Sequence, residues 1–365
     1  MEEWCLLQPK IELHAHLNGS VRDSTLLELA RNLAEKGVLV FADVEHVILK
    51  DDRSLVECFK LFDLIHVLTT DHATVTRITK EVVEDFASEN VVYVELRTTP
   101  KKNAAIGMTK RSYMEAVING LRSVEAVDVD FIPSKMGQKN STMNLSTDDM
   151  CNGTARKKIY VRLLLSIDRR ETTAAAMETV QLALEMRDVG VVGIDLSGNP
   201  IIGEWVTFLP ALKYAKEQGL LVTLHCGEVP DRKEEVNAML DFLPQRIGHA
   251  CFIHGEEWIK LKSSKIPVEI CLTSNIRTDR FPSIEYHHFV DLYKSKHPVV
   301  LCTDDVGMFS TSLSKEYNLA ASAFGLGKEE MFQLARDATE FVFADDDVKK
   351  NLREIFDSAE KKFML

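Results

Sequence analysis

The chain has 365 residues, 45% of them hydrophobic, with 44 basic against 56 acidic side chains and a net charge of −12, a surface that disfavours nonspecific binding to nucleic acid or anionic membrane. No run of 18 apolar residues occurs, so no membrane-spanning helix is expected, and seven scattered cysteines, odd in number, read as buried thiols rather than a disulfide framework. The acidic start Met1-Glu2-Glu3-Trp4 lacks the basic and apolar parts of a secretory leader, so a cytosolic location is expected.

The first predicted strand, 11–17, carries His14 and His16 two residues apart and therefore on one face. Two imidazoles at the end of an apolar run suit half of a metal site; the alternative is two polar residues in an ordinary strand. Asp23 and Ser24 can cap a helix with Leu26, Leu29, Ala30, Leu33 and Ala34 on one face and Gly37 near its stop. About 70 residues separate the first strand from the second, too many for one helix, and 55–68 is predicted as an extra helix over the mouth of the fold. The strand 91–98 follows, then a helix over 112–124. Residues 134–158, rich in Ser, Asn, Lys, Gly and Met, are expected to form a flexible loop insertion without a catalytic role.

Further strands are predicted at 159–167, 191–196, 220–225, 246–250, 267–273 and 299–303, with helices at 173–189, 208–218 and from 328 to about 342. Most are near-continuous apolar runs, as in parallel strands covered on both faces. Eight strands alternating with helices predict an α/β fold, a (β/α)8 TIM barrel forming one domain over 1–365. In such a barrel the active site lies at the C-terminal ends of the strands. There stand His14 and His16, Arg97, Asp168, Gly198, His225, His249, Asn275, Asp304 and Asp305.

Three neutral histidines and an aspartate form an N/O ligand set for which Zn2+ leads, with Fe2+, Mn2+ and Co2+ possible on ligand type alone. A bound metal lowers the pKa of a coordinated water. Glu228, three residues beyond His225, is then a candidate general acid or base, and His249 can orient or deprotonate that water. For Asp304 and Asp305 both to face the mouth, the chain must bend after Thr303. His46, His72, His254, His287 and His288 have no strand-end placement and are expected in surface or core roles.

Five motifs in order, His14-x-His16-Leu-x-Gly19-Ser20, Ser197-Gly198, His225-x-Gly227-Glu228, Arg246-Ile247-Gly248-His249 and Thr303-Asp304-Asp305, resemble the adenosine/AMP deaminase family from about Leu7 to Asp347. The resemblance implies a metal-dependent barrel of the amidohydrolase type that hydrolytically deaminates the 6-position of a purine. It implies one zinc per chain held by His14, His16, His225 and Asp304, and Glu228 as the proton donor to N1 of the ring. It further implies His249 positioning the attacking hydroxide, Asp305 bonding that hydroxide or N7, and the Gly198 N–H reaching N3, with His16 also against the substrate.

Asn18 departs from the family pattern, which usually has Asp there, close to the ribose 5′ end. An Asp would repel a 5′-phosphate, whereas an Asn can donate a hydrogen bond. Thr98, Thr99, Pro100 and Lys101 supply two hydroxyls and a cation suited to a phosphate, His66 another donor, and Asp168 a partner for a ribose hydroxyl. These segments resemble the adenosine deaminase-like branch that acts on N6-methyl-AMP, with plant-type details at 22–25 and 165–170. That resemblance implies release of methylamine and formation of IMP, with a purine nucleoside monophosphate as partner; a monomer is expected, and from the charge balance no nucleic-acid or membrane partner. The alternatives are adenosine deaminase acting on the nucleoside, and a catalytically silent purine-binding protein on the same fold. A cytidine-deaminase site needs Pro-Cys-x-x-Cys, which does not occur.

Overall fold

The computed structural model describes residues 1–50, 54–133, 156–278 and 280–363. Of the predicted 134–158 loop, residues 134–155 lie outside the described residues, and Lys158 already begins a strand. Among the described residues the strands are β1 (Lys10–His16), β2 (Val91–Thr98), β3 (Asp128–Asp130), β4 (Lys158–Asp168), β5 (Val191–Ser197), β6 (Leu221–Cys226), β7 (Arg246–His249), β8 (Val268–Ile270) and β9 (Val299–Leu301). All pair in parallel in the order β1-β2-β4-β5-β6-β7-β8-β9, while β3 hangs on β4 at the edge of the array. The ring is nearly closed. Beyond β9, Asp304 bridges Ala15: His16 N–H donates to Asp304 O at 3.0 Å, and Asp304 N–H to His14 O at 2.8 Å. The Glu12 carboxylate completes this seam by accepting the Thr303 N–H at 2.9 Å and its hydroxyl at 2.8 Å.

The apolar runs conceal an alternation. In β2, Tyr93, Glu95 and Arg97 share one face, and that face meets side chains of other strands across the barrel. Glu95 accepts from Arg246, and Arg97 donates to Asp195 and Glu269. Val92, Val94 and Leu96 lie on the other face. The barrel interior below its mouth is thus a buried ionic lattice rather than an aliphatic plug.

Several boundaries differ from those read in the sequence. The run 267–273 yields only β8, because Leu272 already begins the helix Leu272–Arg277, with Asn275 N–H donating to Cys271 O at 2.9 Å. Strand β9 stops at Leu301, since Thr303 turns its N–H to Glu12. The run 173–189 divides into a helix Thr173–Glu185 and a 3-10 turn Arg187–Val189, and the last predicted helix is Lys328–Asp337 followed by a 3-10 turn. Asp23 is the first residue of its helix rather than its cap, which falls on Arg22. The helix Leu55–Leu68 begins with a capping box in which Ser54 and Glu57 satisfy each other's backbone N–H. No helix among the described residues is long and apolar enough to cross a membrane.

Candidate active site

A cavity of about 280 Å³ opens at the C-terminal ends of the strands. His16, Asn18, Thr98, Thr99, Asp168, Gly198, His225, Glu228, His249, Asp304 and Asp305 line it, and the helix Leu55–Leu68 reaches over it with Cys58, Phe62, Asp63 and His66. His14 lies fully buried beneath. Pro100 and Lys101 line an adjoining groove that shares Thr99, His66, Asp168 and Arg170 with the cavity.

Sharp turns at strand ends aim these groups. His249, Ala250 and Asp304 take left-handed φ values of 66°, 57° and 66°, sparsely populated for side-chain-bearing residues. The expected bend therefore falls at Asp304 itself. It brings both Asp304 and Asp305 to the mouth. Gly248 and Gly19 permit close approach: a Cβ on Gly248 would stand 2.6 Å from His14 Cε1, and one on Gly19 only 1.6 Å from Asp305 Oδ1.

Nitrogen and oxygen donors crowd one point. His16 Nε2 lies 3.1 Å from His225 Nε2, and both His14 Nε2 and His16 Nε2 lie 3.4 Å from Asp304 Oδ1. Neighbouring ligand atoms of a tetrahedral zinc, with bonds of ~2.0–2.1 Å, stand roughly 3.3 Å apart. A ligand atom from each of His14, His225, His249 and Asp304 also lies within 4.8 Å of the others, so five donors surround the point. His14 Nε2 is buried without a hydrogen-bond partner. Burial and Arg97 would lower the His14 ring, yet Asp304 and Glu269 raise it to about 9, so the spot attracts positive charge. These residues fit a divalent metal.

Two carboxylates not singled out in the sequence orient the rings. Glu269 Oε2 accepts from His14 Nδ1 at 2.6 Å, and Asp195 Oδ1 from His225 Nδ1 at 3.0 Å. In the neutral form that binds a metal, both rings therefore keep their proton on Nδ1 and turn Nε2 to the centre. Arg97 spans the two carboxylates, at 3.2 Å from Asp195 and 3.0 Å from Glu269. Burial would raise both carboxyls. His225 and Arg97 around Asp195, and Arg97 and Arg246 around Glu269, hold them below the ordinary range. The one signal in the sequence was a lone acid inside each apolar strand.

His249 Nε2 lies 3.7 Å from Glu228 Oε1 and 3.9 Å from Asp304 Oδ2. Burial, then His225 for His16 and Arg280 for His249, keeps these two rings well below the usual imidazole range and thus neutral. Glu228 Oε1 accepts from Arg280 at 2.9 Å, and Ser274 donates to Asp304 Oδ2 at 2.6 Å; neither Arg280 nor Ser274 was foreseen. Burial raises Asp304 too, but His14, His249 and His16 outweigh it, whereas burial and Asp304 together push Asp305 up.

At the other end of the cavity the Asn18 amide is held at both its oxygen and its nitrogen. Its Nδ2 donates to Thr69 Oγ1 at 3.1 Å, and its Oδ1 accepts from Tyr113 at 3.1 Å and Thr98 at 3.3 Å. Lys101 Nζ reaches the same Thr69 hydroxyl at 3.4 Å. Burial and Arg170 lower Lys101 to about 7. Burial, Lys101 and Arg170 lower His66 to about 3. Asp168 is bound to Arg170, at 2.7 Å from Nη2.

The sequence matches the family described as Adenosine deaminase over residues 9–359. N6-mAMP deaminase of Arabidopsis thaliana is 70% identical over 357 residues, 98% of each chain. N6-Methyl-AMP deaminase of Homo sapiens is 38% identical over 356 residues, 95% of this chain and 92% of the human one. The crystal structure of arabidopsis ADAL complexed with IMP superposes with a TM-score of 0.91 at 68% identity, covering 99% of each chain.

Proposed function

Because this chain belongs to the adenosine deaminase family, we propose that it hydrolyses N6-methyl-AMP to IMP and methylamine with one zinc ion per chain. The observation that carries this reading is the convergence of His14, His16, His225 and Asp304 on one point, with Glu228 and His249 on its rim. In this reading those four residues hold the zinc. A carboxylate braces His14 and His225, as is usual for metal-bound imidazoles, whereas His249 is braced by an amide. When bound, zinc supplies a nucleophilic water near neutral pH.

The chain's own groups do the rest. His249 Nε2 takes a proton from the water that attacks C6. Glu228, steadied by Arg280, gives a proton to ring N1, which makes C6 electron-poor as the C–O bond forms. Asp305 bonds the attacking oxygen or N7, and the Gly198 N–H meets N3. The C6–N bond then breaks: methylamine leaves with the proton that His249 took from the water, the C6 hydroxyl gives its own proton back to Glu228, and a 6-oxo purine remains.

Support for a nucleotide comes from the far end of the cavity. Lys101, Arg170 and His66 gather there; beyond burial, Arg170 lowers Lys101, and Lys101 and Arg170 lower His66, a field that favours an anion. Thr98 and Thr99 add hydroxyls, and Asn18 brings no charge to oppose a phosphate. Asp168 is assigned to a ribose hydroxyl. We assign the activity to a monomeric cytosolic protein.

Turnover of N6-methyl-AMP, N6-methyladenosine and adenosine by the zinc-loaded protein tests this. The nucleotide should be preferred in kcat/KM by about 10–100-fold, the worth of charge-assisted bonds to a phosphate, with IMP and methylamine as products. Turnover confined to the nucleosides would refute it.

A further inference from the structure

Asn275 is fully buried in the helix Leu272–Arg277 and has four neighbours within hydrogen-bond reach. His249 Nδ1 and Arg280 Nη1 stand at 3.1 and 3.2 Å on one side of its amide. His287 Nε2 and the Cys271 carbonyl stand at 3.1 and 3.2 Å on the other. Two of these have no choice of role: a guanidinium only donates, and a backbone carbonyl only accepts. Together they turn the amide oxygen toward Arg280 and His249 and its NH2 toward Cys271 and His287. An amide oxygen cannot donate, so the proton of the His249 ring must sit on Nδ1. The lone pair is then on Nε2, the nitrogen that faces Glu228 and Asp304.

A reversed amide would satisfy the other imidazole instead. His287 Nδ1 accepts the Phe289 N–H at 3.1 Å, which puts the His287 proton on Nε2, facing Asn275. A reversed Asn275 would accept that proton and donate to His249, moving the His249 proton to Nε2. It would also press an NH2 group against the Arg280 charge and an oxygen against the Cys271 carbonyl. A buried contact with a full charge outweighs neutral ones, so the His287 contact is the one left unmade.

We infer that Asn275 is a positioning residue for the deamination: its amide oxygen, aimed by Arg280, fixes His249 as the Nδ1–H tautomer. The same guanidinium holds Glu228, so the proton acceptor and the proton donor of the reaction share one support. The task given to His249 rests on the function proposed above; the tautomer does not.

The test uses zinc-loaded protein labelled with 15N-histidine. Long-range 1H–15N spectra, with the His249 ring identified by its loss in a His249→Gln variant, report which nitrogen is protonated. The expected result is an Nδ1 proton in the native chain and in Asn275→Asp, which keeps the acceptor, and a tautomer mixture in Asn275→Leu. In Asn275→Leu, kcat for N6-methyl-AMP should fall about 10–100-fold with zinc content retained and KM within about threefold, while Asn275→Asp stays within about tenfold of native. An Nε2 proton in the native chain, or native kcat in Asn275→Leu, would overturn the inference. Should Asn275→Leu fail to fold, the native and Asn275→Asp spectra still decide. Absence of turnover by the native protein would sink the proposed function, while the ring spectrum would still uphold or overturn the tautomer.

Discussion

His14 and His225 owe their orientation to acids that arrive from other strands. Glu269 on β8 and Asp195 on β5 each bind an Nδ1, and Arg97 on β2 ties both acids together. Replacing Glu269 by Gln keeps the size but removes the charge that steadies the His14 proton. The variant should bind zinc about 10–100-fold more weakly, read by competition with a chelator of known affinity; unchanged affinity would show the brace to be idle. The histidines and Asp304 were legible in the sequence because each stands near the C-terminal end of an apolar run, where a barrel gathers its chemistry. Glu269 and Asp195 were not, since a lone acid inside an apolar run shows its purpose only once its partner, 255 residues away in the case of His14, is brought alongside. Arg280 and Ser274 lie outside any strand and show their purpose only beside Glu228 and Asp304.

The helix Leu55–Leu68 works as an element rather than residue by residue. Its capping box sets where it starts, and it carries Phe62, Asp63 and His66 over the cavity. At its end Thr69 links Asn18 to Lys101. His66, lowered to about 3, meets an anion as a neutral donor, so Lys101 supplies the titratable charge here. Lys101 is lowered to about 7 by burial and by Arg170; it is cationic below that pH and neutral above it. The preference for nucleotide over nucleoside, as a ratio of kcat/KM values, should therefore fall as pH rises through about 7. The phosphate's own second ionisation, near ~6, lies below this window. A ratio flat from about pH 6 to 9 would count against Lys101. At this scale the eight barrel strands were readable from apolar runs, with ends misplaced by a few residues. The run 267–273 misled because Leu272 and Thr273 are as strand-like as what precedes them, and the helix they enter is set by contacts such as Thr273 N–H to Glu316 at 3.1 Å. Strand β3 has three residues and exists only through its pairing with β4.

Across the whole molecule the proposed zinc site straddles the seam of the barrel, with His14 and His16 on β1 and Asp304 just past β9. Binding there stabilises the closed ring. At a free zinc concentration a thousand times Kd, linkage gives about 4 kcal/mol. Stripping the metal with a chelator should lower Tm by roughly 5 °C or more and speed amide exchange first in β1 and β9. Uniform exchange across all strands would argue that the ion does not bridge them. That the first and last strands meet was implied by the eight-strand count. That a carboxylate of β1 fastens the join was hidden, since Glu12 reads as an ordinary strand residue.

Glu12 and the Thr303 N–H that it accepts lie 291 residues apart. The ribosome therefore delivers one lip of the join long before the other. Until the final strand emerges, the nascent sheet carries an unpaired border along β1, the kind of border on which foreign strands assemble. Glu12 puts a charge on that border, and the same carboxylate fastens the finished ring.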